Sequence, residues 1–309
     1  MNKESNNTFK AVSTYIVDDE YVDVRLDNCL FNKLKGVPKS RVYSMIRKGE
    51  VRINGSRSKP DIKLKLGQKI RIPPHNIEEL VPYKPNNSIL EKIKENIIYD
   101  KNDILAINKP EGLASHGGSG LKLGLIEAVR QIDKRFKNAQ LVHRLDKDTS
   151  GCIVLTLKKS ILRKLNEEIR EGNVEKKYLA VVSGIWPSEK KTINLKLKKN
   201  ILSSGERKVE IDEKGKESTT KFKILKSNGK LTLLECELIT GRMHQIRVQA
   251  NNEGFPIVGD LKYGSREVNA IYKKEGIKRM LLHSTKIKFI NLDLTFKSEV
   301  PQIFSKILI

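Results

Sequence analysis

The chain has 309 residues, enough for two domains that each bury a hydrophobic core. Its 60 Lys and Arg residues outnumber its 37 Asp and Glu residues and give a formal net charge of +23 at pH 7. This charge favours a polyanionic partner, nucleic acid rather than membrane, because no basic amphipathic helix with an aromatic face occurs. Three widely spaced cysteines exclude a disulfide framework and a zinc ribbon, and no apolar run is long enough to span a membrane. We therefore expect a soluble cytoplasmic protein.

The basic charge is concentrated near the N-terminus. Residues 1–20 are polar, and we expect them to form a poorly ordered extension. Residues 21–85 carry 15 basic and 6 acidic side chains, whereas residues 86–309 carry 43 and 27 over more than three times the length. A uniform lysine bias would not give this distribution. The sequence thus predicts a small basic domain with its linker over 21–85 and a larger domain over 86–309.

The small domain has the pattern of two helices followed by two strands. Leucines at 26, 30 and 34 recur at every fourth position and predict a short helix that ends near Gly36. A second helix is predicted from Ser40 to Lys48, with Gly49 just beyond its end. Strands are predicted over 51–55, running into an Asn-Gly turn, and over 68–73. Prolines at 73, 74 and 82 mark the linker.

This arrangement resembles the S4-type RNA-binding domain. The segments 39–41 (Lys-Ser-Arg) and 46–55 (Ile-Arg-Lys-Gly-Glu-Val-Arg-Ile-Asn-Gly) carry the resemblance. It implies that basic side chains of the second helix and the following strand bind RNA, namely Arg41, Arg47, Lys48, Arg52 and Arg57. The alternative is a small basic domain whose charged side chains are merely solvated.

The larger domain alternates strands and helices. Strands are predicted over 104–108, 152–157, 176–184, 191–198, 219–226, 230–239 and 281–289. Helices are predicted over 123–136, from a cap at Ser160, after the polar turn that begins at Ile239, and after Pro301. The glycine-rich segment 116–120 fits neither a nucleophile elbow nor a Walker loop, so we interpret it as a flexible turn.

A polar loop over residues 143–151 interrupts two apolar runs and concentrates chemically useful groups. It reads His-Arg-Leu-Asp-Lys-Asp-Thr-Ser-Gly, and catalytic groups often lie on such loops. One interpretation is the Asp-x-Asp-Thr element of aspartyl-phosphate enzymes, with Asp146 as nucleophile. That chemistry needs a buried strand directly before the first Asp and a later acidic pair for Mg²⁺. Here polar residues precede Asp146, and no Asp-Asp or Glu-Asp pair follows in a loop after residue 151.

The other interpretation takes His-Arg-Leu-Asp-x-x-Thr-Ser-Gly as one unit. It closely resembles the signature of the RluA/RluC group of pseudouridine synthases, with Asp146 in the place of the essential aspartate. Further matches are Lys-Pro-x-Gly at 109–112, Lys-x-Tyr at 176–178 and Thr-Gly-Arg-x-His-Gln-Ile-Arg at 240–247. The S4-type domain and the segments 116–120 and 200–207 are most similar to members that modify uridines of large-subunit ribosomal RNA.

The resemblance implies a fold and an activity. The fold is α+β, with a catalytic domain built on a mixed, mainly antiparallel sheet and the active cleft across its middle. The activity is isomerisation of specific uridines to pseudouridine, with the target base flipped out of its stack. Catalytic roles fall to Asp146, Tyr178 and Arg247, and substrate binding to Arg144 and Arg242. Neither a metal nor a cofactor is implied, and we expect a monomer.

The roles are chemically reasonable for a reaction without a metal. No two of the five histidines have metal-ligand spacing, which excludes a recognisable zinc deaminase. An enclosed Asp146 needs a charged partner to remain ionised, and the resemblance assigns this task to Arg247. The carboxylate can then attack C1′ of the ribose or remove the C2′ proton to give a glycal. The residues leave both courses open, and we favour the second.

Two points stand against a simple assignment. Gln249 occupies a position where the family usually has His, so we expect no catalytic role for this position. The rival hypothesis is a non-enzymatic RNA-binding or ribosome-assembly factor that kept the fold. Retention of Asp146, Tyr178 and Arg247 favours the enzyme, because binding alone needs no acid in a basic cleft.

Overall fold

The computed structural model describes residues 7–34, 36–78, 85–117, 123–201 and 207–307. The chain divides into two compact units, Met1–Lys84 and Pro85–Ile309. Among the described helices, none is both long enough and apolar enough to cross a membrane.

The small unit combines two short helices with two small sheets. Its elements are β1 (Asn7–Lys10), β2 (Ser13–Ile16), α1 (Leu26–Lys33), α2 (Lys39–Arg47), β3 (Arg52–Ile53), β4 (Lys69–Ile72) and β5 (His75–Glu78). The strands form a three-stranded sheet in the order β2-β4-β3 and a separate β1-β5 pair. Leu26 and Leu30 of α1 and Val42 and Met45 of α2 are fully buried in one core with Ile70 of β4. Both predicted helices and both predicted strands are therefore confirmed.

The prediction of a poorly ordered extension over residues 1–20 was wrong for the described part. Residues Asn7–Lys10 pair antiparallel with β5, and Ser13–Ile16 pair antiparallel with β4. The run Thr-Tyr-Ile-Val at 14–17 has the β-branched and aromatic residues that favour strands, and Val17 is buried in the core of the unit. The local sequence did not predict these strands, because the strands with which they pair lie more than fifty positions later in the chain.

The larger unit is an α+β domain around one extended sheet. Its elements are α3 (Asn87–Glu95), β6 (Ile97–Lys101), β7 (Ile104–Lys109), α4 (Leu125–Ile132), β8 (Gln140–Leu141), β9 (Ser150–Thr156), α5 (Lys159–Glu171), β10 (Val174–Ser183), β11 (Thr192–Ile201), β12 (Arg207–Ile211), β13 (Lys216–Ser227), β14 (Leu231–Leu238), α6 (Gln245–Asn252), α7 (Arg266–Lys274), β15 (Leu282–Phe289), β16 (Leu294–Lys297) and α8 (Ile303–Lys306). The eleven-stranded sheet runs β12-β11-β13-β14-β10-β15-β9-β7-β6, with β16 beside β15 and β8 beside β9. Of the pairings between described strands, β9-β15 is parallel and the others are antiparallel. The mixed, mainly antiparallel sheet is confirmed.

Several local predictions for this unit need correction. Ser160 does not cap α5, because the helix already begins at Lys159. The helix predicted over 123–136 is observed as α4, which spans only Leu125–Ile132. A separate 3-10 turn, Lys134–Phe136, follows it. Strands β6 and β12 and helices α3 and α7 were not predicted. The glycine-rich segment 116–120 and the segment 200–207 fall partly outside the described residues, at 118–122 and 202–206.

Strand β9 lies at the centre of the unit and begins directly after the polar loop. All seven of its residues are buried. Gly151 is the second of them, and its φ of +111° lies where side chains are disfavoured. A Cβ at this position would lie 2.2 Å from the carbonyl oxygen of Ser284, the residue that pairs with Gly151 across the parallel β9-β15 contact. Glycine is therefore required for β15 to approach the start of β9.

We expect Gly151→Ala to destabilise the larger unit by more than the ~1–3 kcal/mol that backbone strain alone costs, because the new methyl group must also displace β15. Gly172→Ala is the matched control. Gly172 follows α5 with a φ of +82° and has nothing within 4 Å of the added Cβ, so strain should account for its whole effect. Urea unfolding, followed by fluorescence of the single tryptophan, Trp186, which is buried in this unit, measures both. Equal losses for the two variants would contradict the packing argument.

Candidate active site

A cleft of about 1490 Å³ opens in the larger unit and collects the residues singled out from the sequence. Its walls come from the polar loop 143–149, from β10, from the turn 239–244 and from the start of α6. The predicted catalytic and substrate-binding residues all line it: Asp146, Tyr178, Arg247, Arg144 and Arg242. The predicted RNA-binding residues Arg41, Arg47, Lys48, Arg52 and Arg57 belong to the small unit.

Asp146 is the acid of the cleft, and its side chain is 26% exposed. The guanidinium of Arg247, itself only 5% exposed, donates a hydrogen bond from Nη1 to Asp146 Oδ2 at 3.0 Å. The two residues are 101 positions apart in the chain. The structure thus confirms the predicted pairing of the arginine with the acid.

A second acid, Asp260, holds Arg247 from the other side. Arg247 donates from Nε to Asp260 Oδ2 at 2.8 Å and from Nη2 to Oδ1 at 2.9 Å, a bidentate pair that strongly fixes the guanidinium. Burial opposes ionisation of Asp260, but the hydrogen bonds from Arg247 outweigh it and lower the carboxyl pKa. Burial likewise opposes the charge of Arg247, yet the bonds to Asp260 and Asp146 raise its pKa above the ordinary value. Arg247 and Asp260 are therefore both charged at neutral pH.

Tyr263 and His244 complete this network. The Tyr263 hydroxyl accepts a hydrogen bond from the backbone N–H of Val209 at 2.9 Å and lies 2.7 Å from His244 Nδ1. Burial lowers the pKa of His244, so the ring is neutral at pH 7. The other ring nitrogen, Nε2, lies 3.7 Å from Asp146 Oδ2. The sequence did not lead us to predict Asp260 or Tyr263 as site residues. The local pattern that could have indicated Asp260 is an apolar run, Ile-Val-Gly at 257–259, followed by an acid.

Two buried side chains, Lys109 and Ser115, hydrogen-bond with the backbone of the loop that carries Asp146. Lys109 is fully buried and donates from Nζ to the carbonyls of Pro110, Leu113 and Lys147 at 2.7–3.0 Å. Burial lowers its pKa to about 7. Ser115 donates to the Leu145 carbonyl at 2.6 Å and accepts from the Leu145 N–H at 3.0 Å. The backbone on both sides of Asp146 is therefore held in place.

Tyr178 lies on β10 at 7% exposure, in register with Cys236 on β14 and Ser284 on β15. Burial raises the pKa of its hydroxyl above the ordinary value, although a hydrogen bond with Ser284 partly opposes the shift. The phenol therefore stays protonated, and Tyr178 presents a neutral aromatic group in the cleft.

The two predicted substrate-binding arginines are exposed. Arg144 Nη1 lies 2.9 Å from His116 Nε2, and His116 Nδ1 lies 2.9 Å from the Gly117 carbonyl. Arg242 donates from Nε to the Glu217 carbonyl at 2.9 Å. Both can move onto a ligand at little cost, because surface contacts of this kind contribute little to stability.

Other polar residues of the motifs are structural. Gln249 is fully buried away from the cleft, where its oxygen accepts from Thr220 Oγ1 at 2.6 Å and its amide nitrogen lies 3.1 Å from the Ser218 carbonyl. His143 accepts the Val154 N–H at 3.0 Å, and burial lowers its pKa to about 3. His283 hydrogen-bonds with Ser150 at 2.7 Å. In the part of the chain that the structure describes, no cluster of His, Cys, Asp and Glu could hold a metal ion.

Comparison with known proteins gives consistent matches in both units. The family model described as RNA pseudouridylate synthase matches residues 103–252, and the S4 domain model matches residues 24–70. The chain is 45% identical to the ribosomal large subunit pseudouridine synthase C of Salmonella typhimurium over 86% of this chain and 84% of the relative. It is 42% identical to the protein of the same name from Haemophilus influenzae over 90% and 87%.

Solved structures agree with the sequence matches. Human RNA pseudouridylate synthase domain containing 4 is similar with a TM-score of 0.59 and 25% identity, covering 71% of this chain and 94% of that chain. Human RNA pseudouridylate synthase domain containing 1 is similar with a TM-score of 0.58 and 26% identity, covering 73% and 89%.

We expect Asp260→Asn to destabilise the larger unit by about 3 kcal/mol at pH 7, because it removes one charge of a buried pair and leaves Arg247 with only the partly exposed Asp146 as a counter-ion. The pKa of Asp260 is lower in the folded chain than its ordinary value. Its stabilising effect is therefore complete above the unfolded pKa, about 4, and is lost as the pH falls towards the folded value. The difference between variant and wild type should shrink below about pH 4.

Urea unfolding followed by Trp186 fluorescence between pH 3 and pH 7 measures this difference. Asp212→Asn is the control, because Asp212 also has a lowered pKa beside Lys198 but lies in the turn after β12, and the side chain of Lys198 is 43% exposed, so solvent weakens the pair. A destabilisation by Asp260→Asn that does not change with pH would show that lost packing, not lost charge, is responsible.

Proposed function

The chain belongs to the RNA pseudouridylate synthase family, and from this premise we propose that it isomerises specific uridines of large-subunit ribosomal RNA to pseudouridine, with Asp146 as the essential acid. The observation that carries the assignment of the acid is its hydrogen bond with the buried guanidinium of Arg247 inside the cleft. A protein that only binds RNA has no use for an ionised acid held in this way. The named relatives supply the substrate class.

The reaction converts a C–N glycosidic bond to a C–C bond without a net change in atoms. The N1–C1′ bond breaks, the uracil rotates, C5 bonds to C1′, the C5 proton leaves to solvent and N1 takes up a proton. Asp146 either attacks C1′ or removes the C2′ proton to give a glycal, and we favour the second course. Both courses need an ionised carboxylate at the ribose, which the charge of Arg247 supports.

Tyr178 supports the base during this rotation. We assign it to the face of the uracil ring, where base–aromatic stacking contributes about 1–3 kcal/mol. Because its pKa is raised, it remains neutral and adds no charge to the cleft. A uridine reaches the site only after it leaves its stack, and Arg144, exposed at the cleft, is suited to fill the vacated place. Arg242 is assigned to the RNA backbone.

The S4 domain supplies further RNA contacts. Arg41 is ion-paired with Glu50 at 2.9 Å, and Arg52 donates to the carbonyls of Gly49 and Gly55. Arg47 and Lys48, at the end of α2, are exposed and form no ion pair with a described residue. These two can therefore contact phosphate, as can Arg57 of the predicted set, which is exposed as well. We further propose that the protein acts as a monomer in the cytoplasm, where ribosomal RNA is made.

We expect Asp146→Asn to abolish tritium release from RNA labelled at C5 of uridine, because the amide can neither attack C1′ nor accept the C2′ proton. RNA affinity should stay within roughly a few-fold, since phosphate contacts dominate it. Asp212→Asn, the surface control, should release tritium at the wild-type rate. Near-normal turnover by Asp146→Asn would remove Asp146 from the mechanism.

We expect the double variant Arg47→Gln, Lys48→Gln to bind RNA more weakly and to reduce the slope of log affinity against log salt by about 1–2, because each lost phosphate contact lowers that slope by ~0.7–0.9. Arg41→Gln is the matched control on the same helix. Its charge is already compensated by Glu50, so its slope should change less. Filter binding between about 50 and 200 mM salt measures both. An unchanged slope in the double variant would exclude these residues as phosphate contacts.

A further inference from the structure

One cation of the cleft has no role in the scheme above. Lys176 lies on β10, two positions before Tyr178, and lines the same cleft. It is half-buried, unlike the exposed Arg144 and Arg242. The side chain makes no hydrogen bond or ion pair with any other described residue. Its neighbour Lys177, by contrast, lies 3.2 Å from Glu235 and 3.6 Å from Glu175.

The position of the Lys176 ammonium is defined by the turn on the facing wall. Nζ lies 3.7 Å from the point that a Cβ on Gly241 would occupy, so the side chain extends from β10 to the turn 239–244. Burial lowers the pKa of Lys176, with no carboxylate to offset the shift. Burial is the main cause of the low pKa of His143, and the positive charge of Lys176 lowers that pKa further.

Other buried cations near the cleft are already compensated. Arg247 lies between Asp146 and Asp260, and Arg279 is ion-paired with Glu111. Lys109 donates to three backbone carbonyls beneath the loop. A half-buried charge without a counter-ion is costly, and a titratable group shifted by burial in a cleft is a mark of function. An anion that forms during the reaction would supply the missing partner.

We propose that Lys176 stabilises the negative charge that develops on the uracil ring when the N1–C1′ bond breaks. This inference rests on the proposed function. The electron pair of the broken bond passes to the ring, where it is shared by N1, O2 and O4. The ammonium offsets that charge until C5 has bonded to C1′; the C5 proton then leaves and N1 takes up a proton, which leaves a neutral ring. Both courses open to Asp146 release the same anion, so the role of Lys176 does not depend on the choice between them.

The location suits this role. Residues two apart on a strand point to the same face, so Lys176 and Tyr178 belong to one wall of the cleft, the wall assigned to the base. Asp146 is carried by the separate loop assigned to the ribose. Fixed positive charge placed where negative charge develops is among the largest contributions to catalysis, and removing one such group costs about 10²–10³-fold in rate.

The test compares Lys176→Gln, Lys176→Arg and Lys177→Gln in the full-length chain. With the protein in excess over RNA, single-turnover tritium release from C5-labelled uridine measures the chemical step, and filter binding measures affinity. We expect Lys176→Gln to slow the step by about 10²-fold with affinity within roughly two-fold of wild type. Lys176→Arg keeps the charge and should recover most of the rate. Lys177→Gln, the same substitution one residue away on an ion-paired side chain, should match wild type.

Three results would overturn the proposal. A wild-type rate in Lys176→Gln would remove the residue from the chemistry. A normal rate with weaker binding and a salt slope lowered by about 1 would make it a phosphate contact instead. A loss of rate and of unfolding free energy that Lys176→Arg fails to recover would indicate a packing role. Wild-type protein that releases no tritium would overturn the proposed isomerase function itself, a result distinct from the other three.

Discussion

The arrangement of one guanidinium between two carboxylates is the constraint on which the site depends. Arg247 forms a bidentate pair with the buried Asp260, and this pair leaves Nη1 directed at Asp146. If Asp146 were its only partner, the side chain of Arg247 could move together with that carboxylate. With Asp260 as anchor, the guanidinium of Arg247 has a fixed position, and Asp146 forms its hydrogen bond with that fixed positive charge. Asp260 in turn accepts the backbone N–H groups of Lys262 and Tyr263, so the anchor is itself held by its own turn.

The fold positions Asp146 by fixing the loop at both ends. Before the acid, Ser115 binds both backbone groups of Leu145; after it, Lys109 binds the carbonyl of Lys147. The loop then enters β9, where Gly151 allows the parallel contact with β15. Residues as far apart in the chain as Lys109 and Ser284 therefore contact this loop or the start of the strand that follows it. Because interiors are closely packed, a shift at any of these contacts moves the acid relative to Arg247.

Sequence reasoning located the acid and its arginine but not the rest of the network, for a physical reason. Asp146, Tyr178 and Arg247 lie in motifs whose resemblance to a family can be read directly. Asp260 gains its importance only from a contact with Arg247, which no local pattern records. The same holds for strands β1 and β2, whose partners β5 and β4 come much later in the chain. Local signals were sufficient where structure is local, as in α1, α2 and the turn at Asn54 and Gly55, both of which have positive φ.

The cleft places exposed charges beside buried ones. Arg144 and Arg242 are exposed, so salt screens them as it screens any surface charge. Arg247 and Asp260 are buried, and screening between them is weak. Salt should therefore weaken any contact of Arg144 and Arg242 with a polyanion and leave the Arg247–Asp260 pair intact. A strongly basic protein can in this way hold Asp146 in its cleft, because the partner of this acid is fixed by a buried ion pair and does not depend on the net charge of the surface.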